Sequence, residues 1–358
     1  MHSRSPGRPH TPDDKSALTE CCMREDVHDH GESSSHTNLS VQGGEPESCP
    51  VAEATSDKRD GQSVGRIRSF RIPPRRIALS GGGVRALAHV GALKVLESHG
   101  YLRCVKEVLG VSAGALFALM ISLGYTLDEI EVLSRRFDFT TLRNPDADVL
   151  FLFPETFGLD RGEPLERLLA SILRHKGFGE DTTCAQLLTA TGPRFRCFAS
   201  NIETAESREF SAEATPGLRV ITAVRASMSV PLYYTPVQDP ETGQHLMDGG
   251  VIDNLPIGHI PFTDDCWCLS FTIPKRTQKK EIPHLLTEIY TSIVNCRYVQ
   301  HRKLYKGCLI EIPCGDVSPL HFDITPEERD AMILCAADAA KRFLFTTTPV
   351  GSRRFSAS

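Results

Sequence analysis

No stretch of this sequence stays apolar for the ~20 residues that a membrane-spanning helix needs. The most apolar run, "VLGVSAGALFALMISLGY" (108–125), is shorter, and glycines and serines interrupt its start. The first residues, "MHSRSPGRPHTPDDKS", lack both the apolar core of a secretory signal and the glycine at position two that myristoylation requires. The expectation is a soluble, cytoplasmic protein whose contact with membranes is at most peripheral. Positive charge is not in excess: the formal net charge is -5, which removes any bulk attraction to nucleic acid and leaves headgroup contact to local patches. The 12 cysteines show no repeated spacing and no C-x-x-C pair, which argues against a disulfide framework or a zinc site and for buried reduced thiols. No acidic calcium loop is visible either, so no metal and no cofactor is expected.

What is there divides the chain. Residues 1–70 are rich in Ser, Gly, Pro, Glu, Asp and His and poor in large apolar residues, the composition of a disordered tail. A basic, proline-containing linker follows at 71–76, then a single catalytic-sized domain at 77–345 and a flexible tail at 346–358. Within the domain, strand and helix patterns alternate. "RIALS", "VKEVLGVS", "RFRCFASN", "REFSAE", "CWCLSFTI" and "CLIEIPC" read as strands. Helices are expected over 86–100, 113–124, 283–305 and 326–343, and over "EPLERLLASILRHKG", where Leu165, Leu168, Leu169 and Ile172 recur at helical spacing. Such alternation predicts an α/β fold with a mostly parallel central sheet covered on both faces.

Three glycine-rich segments fall where strands end. Gly110-Val111-Ser112-Ala113-Gly114 is G-x-S-x-G at a strand-to-helix junction, the context of a nucleophile elbow. Only small residues fit such a turn, and the helix start behind the serine favours a developing anion. Gly81-Gly82-Gly83-Val84-Arg85 follows the first strand; as a phosphate loop it would need a lysine-serine pair that is missing, and as an oxyanion hole it offers uncovered amides. Asp248 precedes Gly249-Gly250 in "HLMDGGVIDNLPI", and a partly buried carboxylate there could serve as a base. His89, His99 and His245 are the alternative bases, but none sits in a supporting motif.

The ordered set G-G-G-x-R, G-x-S-x-G and D-G-G resembles the patatin-like phospholipase family. The likeness continues through "NIETAESREF", "RASMSVPLYYTPV" and the Asn254 and Pro256 of "DNLPI", about residues 76–261. It implies a three-layer α/β/α fold and a Ser-Asp dyad in place of a triad. Mapped onto this chain, Ser112 is the nucleophile and Asp248 the base. Gly81, Gly82, Gly83 and Ala113 form the oxyanion hole, with Arg85, Gly110, Gly114, Gly249, Gly250 and Asn254 in support. Ala86 departs from the glycine that many relatives carry. The activity implied is ester hydrolysis of phospholipids or related acyl lipids through an acyl-enzyme, at a membrane or lipid-droplet surface. "VLFLFPETFGL" (149–159), with Phe151, Phe153 and Phe157, is expected either as a loop that lines an acyl pocket or dips into lipid or as a buried core segment, and "PKRTQKKE" (274–281) as a headgroup contact or a solvated loop. Two other readings stay open: a non-hydrolytic lipid-binding or scaffold protein on the same fold, and a nucleotide-binding α/β protein that uses "SGGGVR" as its phosphate loop.

Overall fold

The computed structural model describes residues 71–143, 149–260, 265–273 and 282–345. The two tails and the basic "PKRTQKKE" segment lie outside these residues. In chain order the elements are β1 (Arg76–Leu79), a 3-10 turn (Gly83–Leu87), α1 (Ala88–Ser98), β2 (Glu107–Val111), α2 (Ala113–Ser122), α3 (Leu127–Arg136) and α4 (Val149–Thr156). They continue with β3 (Gly158–Asp160), α5 (Glu163–His175), β4 (Arg194–Asn201), β5 (Glu206–Ser211), α6 (Val220–Ser227), β6 (Leu232–Tyr234), β7 (Val237–Gln238), β8 (His245–Asp248) and α7 (Gly250–Asp253). The last are β9 (Cys266–Phe271), α8 (Ile282–Leu304), β10 (Leu309–Ile312) and α9 (Pro326–Phe345).

Five strands run parallel in the order β10-β9-β1-β2-β4. Successive strand residues point to opposite faces, and here they divide between two cores. Ile77, Leu79, Val108, Trp267, Leu269, Ile310 and Ile312 belong to the larger core, with residues of α1, α2, α6 and α9. Their neighbours Ala78, Leu109, Val111, Cys266, Cys268 and Leu309 belong to the smaller one, with Tyr298 of α8 and the 255–260 segment. The fold is therefore α/β with helices on both faces of a mostly parallel sheet, as the alternating pattern predicts. Both faces are buried, so the strands read as continuous apolar runs rather than alternating ones.

Several helix expectations hold in detail. α5 buries Leu165, Leu169 and Ile172 as its spacing predicts. α9 opens on a capping box: the Glu328 amide donates to Thr325 Oγ1 at 3.2 Å and the Thr325 amide to Glu328 Oε2 at 2.9 Å. The 149–159 segment differs from expectation, because its first part is helical and Pro154 lies within that helix. Pro154 is the sixth of its eight residues, so it removes one i to i−4 hydrogen bond close to the helix end, where the chain soon leaves the helix.

The edge of β4 opposite β5 positions the site. β4 pairs with β5 over Arg196–Asn201, with β2 over Arg194–Phe198 and with antiparallel β8 over Ala199–Asn201. Since β5 occupies one edge throughout, β2 and β8 must share the other and meet end to end along it. Val111 stands opposite Phe198 and Asp248 opposite Ala199, one residue further along β4. Among the described residues no helix is long and apolar enough to cross a membrane.

Candidate active site

At the C-terminal end of β2 the chain reverses into α2 through Ser112, which has φ 54° and ψ -132°. That left-handed backbone costs a non-glycine residue about 1–3 kcal/mol and survives only where its surroundings hold it. The Ser112 amide donates to Ser227 Oγ at 2.9 Å, and Ser227 Oγ donates to the Phe198 carbonyl at 2.6 Å. α6 thus pins the elbow to β4. The flanking glycines meet a steric demand: a Cβ on Gly110 would strike the Gly114 carbonyl, and one on Gly114 the carbonyls of Leu79 and Ser80.

Ser112 Oγ donates to Asp248 Oδ2 at 2.5 Å. Ser112 is 6% exposed and Asp248 0%. The Gly250 amide donates to the other carboxylate oxygen at 2.8 Å, and the Asp248 amide donates to the Ser229 carbonyl at 2.8 Å. A Cβ on Gly249 would meet the Phe198 carbonyl, which explains the glycine beside the carboxylate. Burial raises the Asp248 carboxyl from its ordinary value to about 6. Hydrogen bonds from Ser112, Gly250 and Tyr290 act in the opposite direction.

The glycine loop lies beside the serine at the end of β1. Gly83 has φ 55°, and a side chain there would strike the Pro319 carbonyl. Among the described residues the amides of Gly82, Gly83 and Ala113 carry no partner, so three donors remain near Ser112. Gly81, expected with them, is different: its amide donates to the Asn254 carbonyl at 3.2 Å and its carbonyl accepts from Asn254 Nδ2 at 3.2 Å. Asn254 therefore ties the loop to the segment that follows Asp248. Arg85 is buried, and its Nε donates to the Val317 carbonyl at 2.5 Å, which braces the 317–320 segment over the loop.

None of the three histidines weighed as bases meets Ser112 or Asp248. His89 is 0% exposed, bonds Ser80 O through Nε2 at 3.0 Å, and packs on Phe271 with ring centroids 4.8 Å apart. Burial lowers its pKa to about 4, so it stays neutral behind the glycine loop. His99 bonds the Val95 carbonyl at 2.8 Å at the end of α1, and His245 bonds Glu203 at 2.8 Å at the far end of β8.

A cleft opens over the serine. The glycine loop, Asn254 and Arg85 form its polar wall; Val230, Phe271, Val294, Pro319 and Leu320 supply apolar surface, and Tyr290 stands beside them. Sequence patterns single out few of these, because Phe271, Val294 and Tyr290 reach the cleft from β9 and α8, far along the chain. Of the expected aromatic loop, Phe157 is 58% exposed with φ 53° and Phe153 is partly buried; the side chain of Phe151 lies outside what is described. Among the described residues no cluster of three His, Cys, Asp or Glu could hold a metal ion.

The model of the patatin-like phospholipase family matches residues 77–260, from β1 through the glycine loop, elbow and Asp248 to the 3-10 turn beyond Asn254. The chain belongs to the patatin-like phospholipase family. Relatives match from about half to three quarters of its length. An uncharacterized protein of Acanthamoeba polyphaga mimivirus is 27% identical over 75% of this chain and 93% of its own. The uncharacterized protein YqhO of Bacillus subtilis is 27% identical over 74% of this chain and 96% of its own. A probable lipid hydrolase of Invertebrate iridescent virus 6 is 26% identical over 54% of this chain and 66% of its own. Among solved structures, VipD from Legionella pneumophila shares the fold with a TM-score of 0.54, at 16% identity over 77% of this chain and 67% of that one.

Proposed function

We propose that the protein is a serine lipid acyl hydrolase, a carboxylic ester hydrolase that works through a Ser112–Asp248 dyad. The observation that carries the reading is the 2.5 Å hydrogen bond from Ser112 Oγ to Asp248 Oδ2 at a strained strand-to-helix elbow. Asp248 accepts the hydroxyl proton as Oγ attacks the ester carbonyl carbon. The amides of Gly82, Gly83 and Ala113 stabilise the oxyanion, at an end of α2 whose dipole favours negative charge. Collapse of the tetrahedral intermediate expels the alcohol or lysolipid, which takes the proton from Asp248. Water then gives its proton to the same carboxylate and attacks the acyl-enzyme, releasing the fatty acid and restoring Ser112.

Apolar lining at Val230, Phe271, Val294 and Leu320 supports an acyl chain as the group held. Exposed Phe157, Leu159 and Leu232 support a lipid surface as the place of reaction.

The test is labelling with a fluorophosphonate probe, with the modified residue located by mass spectrometry. Labelling at Ser112, absent in Ser112→Ala, together with release of fatty acid from phospholipid vesicles is the expected result. A folded protein that neither reacts with the probe nor hydrolyses any acyl ester would sink the reading.

A further inference from the structure

α8 lies along the segment that carries Asp248, and three of its residues meet that segment in order. Tyr290 lines the same cleft as Ser112, and a side-chain hydrogen bond links its hydroxyl to the Asp248 carboxylate. Val294 lies against Gly250, 3.5 Å from where a Cβ on that glycine would sit. His301 Nε2 bonds Asp253 Oδ1 at 3.0 Å, with both side chains buried. Positions 290, 294 and 301 fall on one face of a helix. Tyr298, near the same face, donates to Glu311 Oε1 at 2.9 Å and anchors the helix to β10. The tyrosine is therefore held by its helix at several points, not left to its own rotamer.

We propose that Tyr290 is a positioning residue for the reaction: its hydroxyl holds Asp248 in line with Ser112 and moderates how strongly the buried carboxylate takes a proton. This rests on Asp248 being the general base. A buried carboxylate with too few donors becomes a neutral acid and stops accepting protons. Ser112 supplies one donor, but that donor leaves when Oγ attacks, whereas Tyr290 and the Gly250 amide remain. Burial and the adjacent carboxylate push the Tyr290 phenol well above its ordinary value, so it stays protonated and donates throughout. The groups that face Asp248 are the Ser112 hydroxyl, the Gly250 amide and the Tyr290 hydroxyl. Arg85, the one charged residue of the described cleft lining, bonds the Val317 carbonyl instead.

The experiment compares wild type with Tyr290→Phe by two readouts. One is the 13C titration of the Asp248 carboxyl, assigned by its loss in Asp248→Asn. The other is the pH profile of kcat/KM on a soluble ester. A hydrogen bond to a charged group is strong enough to move a pKa by about one unit. The carboxyl should titrate about one pH unit higher in Tyr290→Phe, and the acid limb of kcat/KM should move with it, with activity recovered at alkaline pH. If Tyr290→Phe does not fold, a ring-fluorinated tyrosine at 290, a stronger donor of nearly the same shape, should shift both downward. An unmoved carboxyl titration overturns the inference, even in a variant that has lost activity at every pH. The titration needs no turnover. An inactive wild type with a shifted carboxyl would count against the hydrolase reading and leave the role of Tyr290 in the carboxyl titration standing.

Discussion

Asp248 is buried with its carboxyl raised to about 6, and this has opposite consequences for activity and stability. As the proposed base it must be ionised, so kcat/KM should fall as pH drops through about 6, measured across a buffer series. For folding the sign is reversed. The unfolded carboxyl titrates near 3.9, so between that value and about 6 the folded state binds the extra proton and stability declines as pH rises. Asp248→Asn removes that penalty. It should unfold at a higher temperature than wild type at neutral pH, by roughly 1–3 kcal/mol, and the difference should vanish near pH 4. A variant less stable than wild type at neutral pH would contradict the burial argument. The same substitution should remove turnover about as completely as Ser112→Ala, because an amide cannot accept the proton and members of one catalytic unit do not act additively. His89→Ala should lower turnover by disturbing the wall behind the glycine loop without abolishing it. A dead histidine variant beside an active Asp248→Asn would replace the dyad with a triad.

At the scale of elements, α6 acts on the elbow through one hydroxyl. Ser227→Ala leaves the Ser112 amide and the Phe198 carbonyl without that partner in a buried place, each costing about 1–3 kcal/mol. Thermal unfolding should show the loss, and turnover should fall although neither dyad residue is touched. An unchanged melting temperature would mean that the strained serine is held by something else. How much of this was legible in the sequence depends on how local each constraint is. The elbow, the glycine loop and the Asp-Gly-Gly turn are legible because each answers a steric demand within a few residues. α3 also carried a local signal, since Thr126 and Glu129 form a capping box, yet the alternating strand and helix pattern does not single it out. Tyr290, Ser227 and Phe271 were not legible. Their partners lie more than a hundred residues away or on another element, and nothing near them in the chain marks the contact. α4 carries no clear helix signal in the sequence, because its aromatic residues and internal proline are weak helix formers.

For the whole molecule, two apolar residues at the short β3–β6 pair, one just before β3 and one opening β6, adopt backbones that side chains rarely take. Phe157 and Leu232 have φ 53° and 66° and are 58% and 46% exposed. Leu232 follows Val230 of the cleft by two residues. Phe157→Ser with Leu232→Ser should reduce hydrolysis of phospholipid vesicles by at least about tenfold, since burying even one large apolar side chain is worth about 1.5 kcal/mol, and leave a soluble short-chain ester unaffected. Equal loss on both substrates would mean that the pair supports the cleft rather than a lipid contact. The wider architecture bears on how such a chain can vary. Ser112 and Asp248 are separated by 136 positions in sequence, but along β4 their strands end opposite neighbouring residues, Phe198 and Ala199. β4 is the ruler for the pair. Intervening segments such as α4 and α5 could lengthen, shorten or be replaced without changing the gap between the two side chains, whereas one residue inserted between Phe198 and Ala199 would open it by a full strand step of about 3.3 Å.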